Sequence, residues 1–215
     1  MIVILSLSMV ALSLQTPPPS VADLRKLYEA GKYGEVAAAV SNAEAQGAVT
    51  TRLLYLAAQS AQKATDVDRA RQLYSRLAEG NEDDPWRYIG QSAVRLLQPK
   101  TEAPEGEKVE GPNPQQALEA AQHAVSLNPD LPEAQYQLGL ACSFLDDFPG
   151  AAAAFEKAAR LDSTFAYAEY YAGLAYYRAK RTDLMAVHFE RFLKLAPGAP
   201  ERPEVESIMR TLRRR

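Results

Sequence analysis

An all-α fold built as a stack of helix hairpins is what this sequence predicts, and three observations predict it. The composition favours helix: 47% hydrophobic and 24% charged residues in a chain of 215, with Ala, Leu, Glu, Arg and Gln abundant. The chain also repeats itself with a spacing of 34, because Gly139 returns as Gly173, Leu140 as Leu174, Ala141 as Ala175, Phe155 as Phe189 and Leu161 as Leu195. Within each period the apolar residues fall at helical spacing in two blocks, split by a short polar turn such as Asp146-Asp147-Phe148-Pro149, so that each unit is a helix hairpin.

The elements follow in order. Residues 1–13 are apolar and uncharged, too short to span a bilayer as a helix but the right length for the hydrophobic part of a signal peptide or N-terminal anchor, with Ala11 and Ser13 as small residues before a cut and no Lys or Arg ahead of the run. A Pro-rich lead-in over 14–22, with Pro17-Pro18-Pro19, separates this run from the first helix. Five hairpin units are expected at 17–50, 51–82, 83–131, 132–165 and 166–199. The third is interrupted: from Pro99 to Pro114 the chain is acidic, rich in Pro and Gly and almost without apolar side chains, which reads as a loop of 99–114 inserted at a hairpin turn. After Pro200 and Pro203, Val205, Ile208, Met209 and Leu212 recur at helical spacing, so 200–215 is expected to form a capping helix with a basic tail, Arg213-Arg214-Arg215, suited to a helix C-terminus.

In detail the pattern resembles the tetratricopeptide repeat family, whose unit has Leu-Gly at positions 7 and 8, an aromatic near 11, Ala at 20, an aromatic at 24, Ala at 27 and Pro at 32. Residues 132–165 match with Leu138, Gly139, Ala151, Phe155 and Ala158, with Ser163 where Pro is usual. Residues 166–199 match with Gly173, Tyr176, Phe189 and Pro197, but Met185 and Phe192 replace the two alanines, which predicts looser or wider packing there. The first unit carries Gly31, Lys32 and Tyr33 at its turn; the second carries Ala58, Ala70 and Tyr74; the third has Trp86, Ile89 and Gly90 before the insertion and Ala117, Ala124 and Pro129 after it. The fold implied by this resemblance is an α-solenoid of about five such hairpins with a C-terminal capping helix.

Candidates for chemistry reduce to architecture. Cys142 is the single cysteine and falls on the face of a first helix that packs on the second, where a thiol behaves as a small apolar group. Asp146 and Asp147 sit in the turn, where Asp caps backbone amides. His123 and His188 lie in different units without a neighbouring ligand at metal spacing, so no metal site and no cofactor are expected. Phosphate-cradling glycine loops and nucleophile elbows are missing from the sequence, and the reading is non-enzymatic. A net charge of −3 argues against nucleic acid as a partner, and no membrane span is expected in the mature chain.

By the same resemblance, first-helix positions 2, 5, 6, 9, 12 and 13 line a concave wall. They bring to it Tyr55, Gln59, Gln62 and Lys63, then Arg87, Tyr88, Gln91 and Arg95, then Tyr136, Gln137, Leu140 and Phe144, and last Tyr167, Tyr170, Tyr171, Leu174, Tyr177 and Arg178. Tyrosine and arginine are the residue types that dominate binding hot spots, so a protein or peptide of mixed apolar and acidic character is the expected partner. The carboxylate clamp of chaperone-tail binders is disfavoured, since Val21, Arg25, Leu56, Asp84 and Tyr88 occupy its places. The leading expectation is a protein-interaction scaffold exported to a bacterial cell envelope. The runner-up is a structural assembly subunit that associates through the solenoid ends or the convex face.

Overall fold

The structure, a computed structural model, describes residues 20–98 and 111–213. Among these it is entirely helical, with ten helices paired as hairpins and an eleventh closing the end. The pairs are α1 (Val21–Glu29) with α2 (Tyr33–Ala45), α3 (Thr51–Lys63) with α4 (Val67–Ala78), and α5 (Pro85–Leu96) with α6 (Pro114–Leu127). Then come α7 (Pro132–Phe144) with α8 (Phe148–Leu161), α9 (Ala166–Arg178) with α10 (Thr182–Leu195), and α11 (Arg202–Arg213). Five hairpins and a capping helix are thus what forms.

Short polar residues start the helices. Ser20, Thr50, Asp66, Asn113 and Asp147 each accept a hydrogen bond from the backbone amide three residues on, and Pro85, Pro114 and Pro132 occupy first-turn positions where a missing N–H costs nothing. The hairpin turns share one device. Gly31, Thr65, Asp146 and Lys180 all have left-handed backbone, with φ of 74°, 64°, 58° and 60°. Each lies one residue past the helix cap, and the next amide reaches back to the helix in a six-residue bond, as from Asp147 to the Cys142 carbonyl at 3.0 Å. The same position in the repeat therefore carries the same strained conformation whichever residue occupies it. At the third hairpin the amide of Asn113 instead bonds to the Arg95 carbonyl at 3.1 Å, so both ends of the insertion are held together. Residues 99–110 of that insertion lie outside the described residues, as do 1–19 with the apolar run.

Packing between paired helices turns on glycine against aromatic. A Cβ on Gly139 would lie 2.7 Å from the Phe155 ring, and one on Gly173 would lie 2.5 Å from Phe189, both rings being fully buried. In the third hairpin position 24 is Ala121, so no ring arrives from α6, and Gly90 is closed instead by the Tyr74 carbonyl and the Ala78 amide of α4 at 2.6 Å from its would-be Cβ. Met185 and Phe192, the departures from alanine in the fifth unit, are both fully buried. Phe192 packs on Tyr170 and Tyr167, at 5.1 and 5.9 Å between ring centres. The volume added there is used, because these rings reach the centre of the stack. On the outer side Val205 and Met209 of α11 are buried against α10, and Arg202 donates to the Leu193 carbonyl at 3.2 Å.

Two substitutions test this account. Gly173→Ala drives a methyl into an immobile Phe189 ring and is expected to cost about 1–3 kcal/mol despite the gain in helix propensity. Thr65→Gly relieves a β-branched residue in left-handed backbone and should stabilise by about 1 kcal/mol. Urea denaturation of the two variants beside the parent reads both.

Candidate functional site

The inner wall is built from the first helices, and the structure shows it folded onto itself. Tyr55, Gln59, Tyr136, Gln137, Tyr167 and Tyr170, all assigned by register to an open groove, are 1–8% exposed. The hollow expected between the walls is filled. Its filling comes from α1 and α3, which meet α7, α9 and the segment leading into α11.

Three sets of contacts make this closure. Arg25 on α1 forms a short ion pair with Asp162, lies 3.7 Å from Glu133 and stacks its guanidinium 5.1 Å over the Phe165 ring. Arg52 at the start of α3 pairs with the buried Glu133 at 2.8 Å. Lys63 at the end of α3 places its Nζ 2.6 Å from Glu201 and 4.5 Å over Tyr167. Between these, Tyr28 packs on Tyr167 at 5.0 Å, and Gly31 lies so close to Pro200 that a Cβ there would meet its ring at 2.7 Å. These residues lie more than 100 positions apart in the chain, Glu133 with Arg52 excepted.

Electrostatics follow from burial. Burial alone would raise the Glu201 carboxyl, but hydrogen bonds from Lys63 and from the Tyr167 hydroxyl at 2.8 Å overrule it and hold the group below the usual glutamate range. Burial would lower the Lys63 ammonium, and the neighbouring Tyr171 and Glu201 more than offset that and raise it. Asp162 is likewise held low by the Thr164 hydroxyl and Arg25 against the pull of burial. Glu29 behaves in the opposite way. One of its oxygens is buried without a protein hydrogen-bond partner, and desolvation lifts its carboxyl to about 7, although Arg25 and the Ala166 amide lower it. It lines a cleft of about 430 Å³ at the outer end of the closure, with Val21, Arg25, Lys26, Arg52 and Asp162.

The remaining register residues divide. Arg87 donates to the Gly80 carbonyl at 2.9 Å, Tyr88 packs edge-on against His123 at 4.1 Å, and Arg95 donates to Gln116, so these spend themselves on the third hairpin and the loop before it; Gln91 is half-buried beside them. Tyr55 takes a hydrogen bond from Gln59 at 3.2 Å, and Gln137 donates to Ser92 at 3.1 Å. Gln62, exposed, accepts from Tyr74 at 3.4 Å. At the other end Phe144 and Tyr177 are 55% and 50% exposed, Arg178 is exposed above the Phe148 ring, and Leu140, Tyr171 and Leu174 are half-buried. Ser143, Asp146, Phe148, Tyr171, Leu174 and Arg178 line a cleft of about 230 Å³ there.

Arg25, Tyr28, Arg52, Glu133 and Glu201 are the functional residues that register reasoning did not bring to this wall. A signal existed for four of them, since Arg25 and Tyr28 hold positions 9 and 12 of the first unit, and Arg52 and Glu133 hold position 2 of theirs. Cys142 is buried and free; burial, with Asp147 beside it, pushes its thiol up, away from the thiolate that reactivity needs. His188 bridges Glu169 at 2.6 Å and Glu156 at 3.1 Å, tying α10 to α9 and α8. Among the described residues no three potential ligands gather as a metal site, and no helix is long and apolar enough to cross a membrane.

Stacked helix hairpins with a shared inner wall define the class: an α-solenoid whose two ends meet. Residues 132–165 match the family model of the tetratricopeptide repeat, and the chain is a tetratricopeptide repeat protein. Among solved structures it is similar to TTC0263, a thermophilic protein of the same kind from Thermus thermophilus, with 21% identity, a TM-score of 0.62 and coverage of 88% of this chain and 96% of that one. A likeness to the Cut9–Hcn1 hetero-tetramer of the APC/C has 15% identity, a TM-score of 0.53 and coverage of 86% and 34%. A looser likeness, at 19% identity, a TM-score of 0.45 and coverage of 86% and 89%, is to YrrB, described as having an unusual peptide-binding site. A search of curated proteins finds no match to the sequence.

Glu29 yields a pH prediction. Between about 4.5, the ordinary glutamate value, and about 7 the folded chain keeps a proton that the unfolded chain has released, so stability falls as pH rises through that window. Asp162 and Glu201 have the opposite sign; what they contribute is present above their ordinary values and is lost below them. Glu29→Gln should therefore match the parent near pH 4 and exceed it near pH 8 by on the order of 2 kcal/mol, as measured by urea denaturation across that range.

Proposed function

We propose that the protein is a non-enzymatic interaction module that holds a peptide or protein segment on the part of its inner wall left open by the closure, at α7 and α9. One observation carries this reading: Phe144 and Tyr177, large apolar side chains about half exposed, flank a cleft of about 230 Å³ that ends in the Arg178 guanidinium. Exposed aromatic area beside a forked donor supports recognition of an apolar anchor followed by an acidic group. Tyr177 also borders a second cleft, of about 260 Å³, with Thr182, Ile208 and Leu212, so the surface continues towards α11. Membership of a repeat family whose stacked units present extended binding surfaces supports the same reading.

Selection of binders from a random peptide library on the parent, followed by titration onto variants, tests this. Phe144→Ala with Arg178→Glu is expected to weaken the selected peptides roughly tenfold or more, while Val187→Ala, an exposed apolar residue on α10, leaves them unchanged. Equal affinity for all three proteins overturns the reading and favours assembly through the ends or convex face.

Export to a cell envelope is proposed on the apolar, uncharged run of residues 1–13, with the Pro-rich stretch behind it. Fused to a reporter phosphatase that is active solely outside the cytoplasm, residues 1–22 should confer activity, and Ile2→Lys with Leu5→Lys should abolish it.

A further inference from the structure

Lys63 occupies a site with the features of a ligand pocket. Its Nζ lies 4.5, 5.7 and 5.9 Å from the ring centres of Tyr167, Tyr171 and Tyr170, and 2.6 Å from Glu201 Oε1. Three aromatic faces and a carboxylate around one ammonium is how proteins recognise alkylammonium groups. The carboxylate is oriented by a separate contact, since Glu201 Oε2 accepts from the Tyr167 hydroxyl at 2.8 Å. That leaves one oxygen for the cation. A compact ammonium is served by one acceptor, whereas a guanidinium fork loses half of its bidentate contact, so the site selects lysine over arginine.

We propose that Tyr167, Tyr170, Tyr171 and Glu201 form a cage that binds a lysine side chain of the partner segment, and that Lys63 is its resident intramolecular occupant. Two further observations support exchange. Lys63 is the last residue of α3, and its side chain is 22% exposed, so rotation of a four-carbon stem vacates the cage without unwinding the helix. Tyr171 belongs both to the cage and to the 230 Å³ cleft beside Phe144, so one bound segment reaches both with a lysine and an apolar residue. Partner binding then competes with closure of the solenoid, and the apparent affinity is reduced by the fraction of chains in which Lys63 has swung out.

This rests on the interaction reading above, and the two fail separately, because Phe144→Ala with Arg178→Glu removes none of the cage. The probe is a blocked pentapeptide, Gly-Gly-Lys-Gly-Gly, followed by NMR titration of the full chain, with the Arg and norleucine analogues as comparators. Lys63→Ala is expected to bind the lysine peptide roughly tenfold or more tighter than the parent does, and to bind both analogues roughly tenfold more weakly than it binds the lysine peptide. Adding Glu201→Gln or Tyr170→Leu to Lys63→Ala should abolish the binding. If thermal melting shows Lys63→Ala to be unfolded, Lys63→Gln, which keeps most of the stem volume, is held to the same ordering. A folded Lys63 variant that ignores the peptide, treats lysine and norleucine alike, or still binds with Glu201→Gln present overturns the proposal.

Discussion

Contact between the first two hairpins and the last is the constraint on which the rest of this molecule depends. A stack of hairpins is held by neighbours alone, and its stability is close to a sum over units. Here Arg25, Tyr28 and Lys63 reach across to Asp162, Phe165, Tyr167 and Glu201, so a linear stack becomes a ring in which each unit is supported from two directions. Loss of one end therefore exposes apolar surface at both. The tyrosines of the inner wall are what makes the closure possible, because a ring fills the hollow while its hydroxyl finds a polar partner, as Tyr167 does with Glu201.

Charge is arranged so that the closure holds without a large desolvation penalty. Each cation brought inward has a carboxylate and an aromatic face: Arg25 has Asp162 and Phe165, Arg52 has Glu133 and Trp86, and Lys63 has Glu201 and Tyr167. Buried charges paired in this manner cost far less than buried charges alone. Glu29 is the exception, with one oxygen unpartnered, and it keeps its proton nearly to neutrality for that reason. The two ends of the inner wall thus differ in kind: tight and ion-paired where α1 and α3 enter, open and aromatic where Phe144 and Tyr177 emerge.

The hairpins were legible because each rests on short-range pattern. Gly139 and Phe155 sit sixteen residues apart and Gly173 and Phe189 repeat that spacing, so the fit of ring on glycine is written twice in the chain. The caps at Ser20, Thr50, Asp66 and Asp147 are equally local. The left-handed turn position was harder to see, because Gly, Thr, Asp and Lys fill it in turn, and only the first and third favour that backbone. Gly90 shows the limit of a register: its place in the unit is the usual one, but with Ala121 where a ring is usual, a different helix closes on it.

By itself the sequence determined eleven helices' worth of periodicity, their pairing into five hairpins and a cap, and which residues face the inner side. Tertiary structure alone decided how tightly the stack winds. That follows from small rotations between hairpins accumulating over five units, a quantity set by packing at every interface and by no single residue. Its outcome turned Tyr55, Tyr136 and Tyr167 from an open wall into a core, and it brought Lys63 to Glu201 across 138 positions of chain.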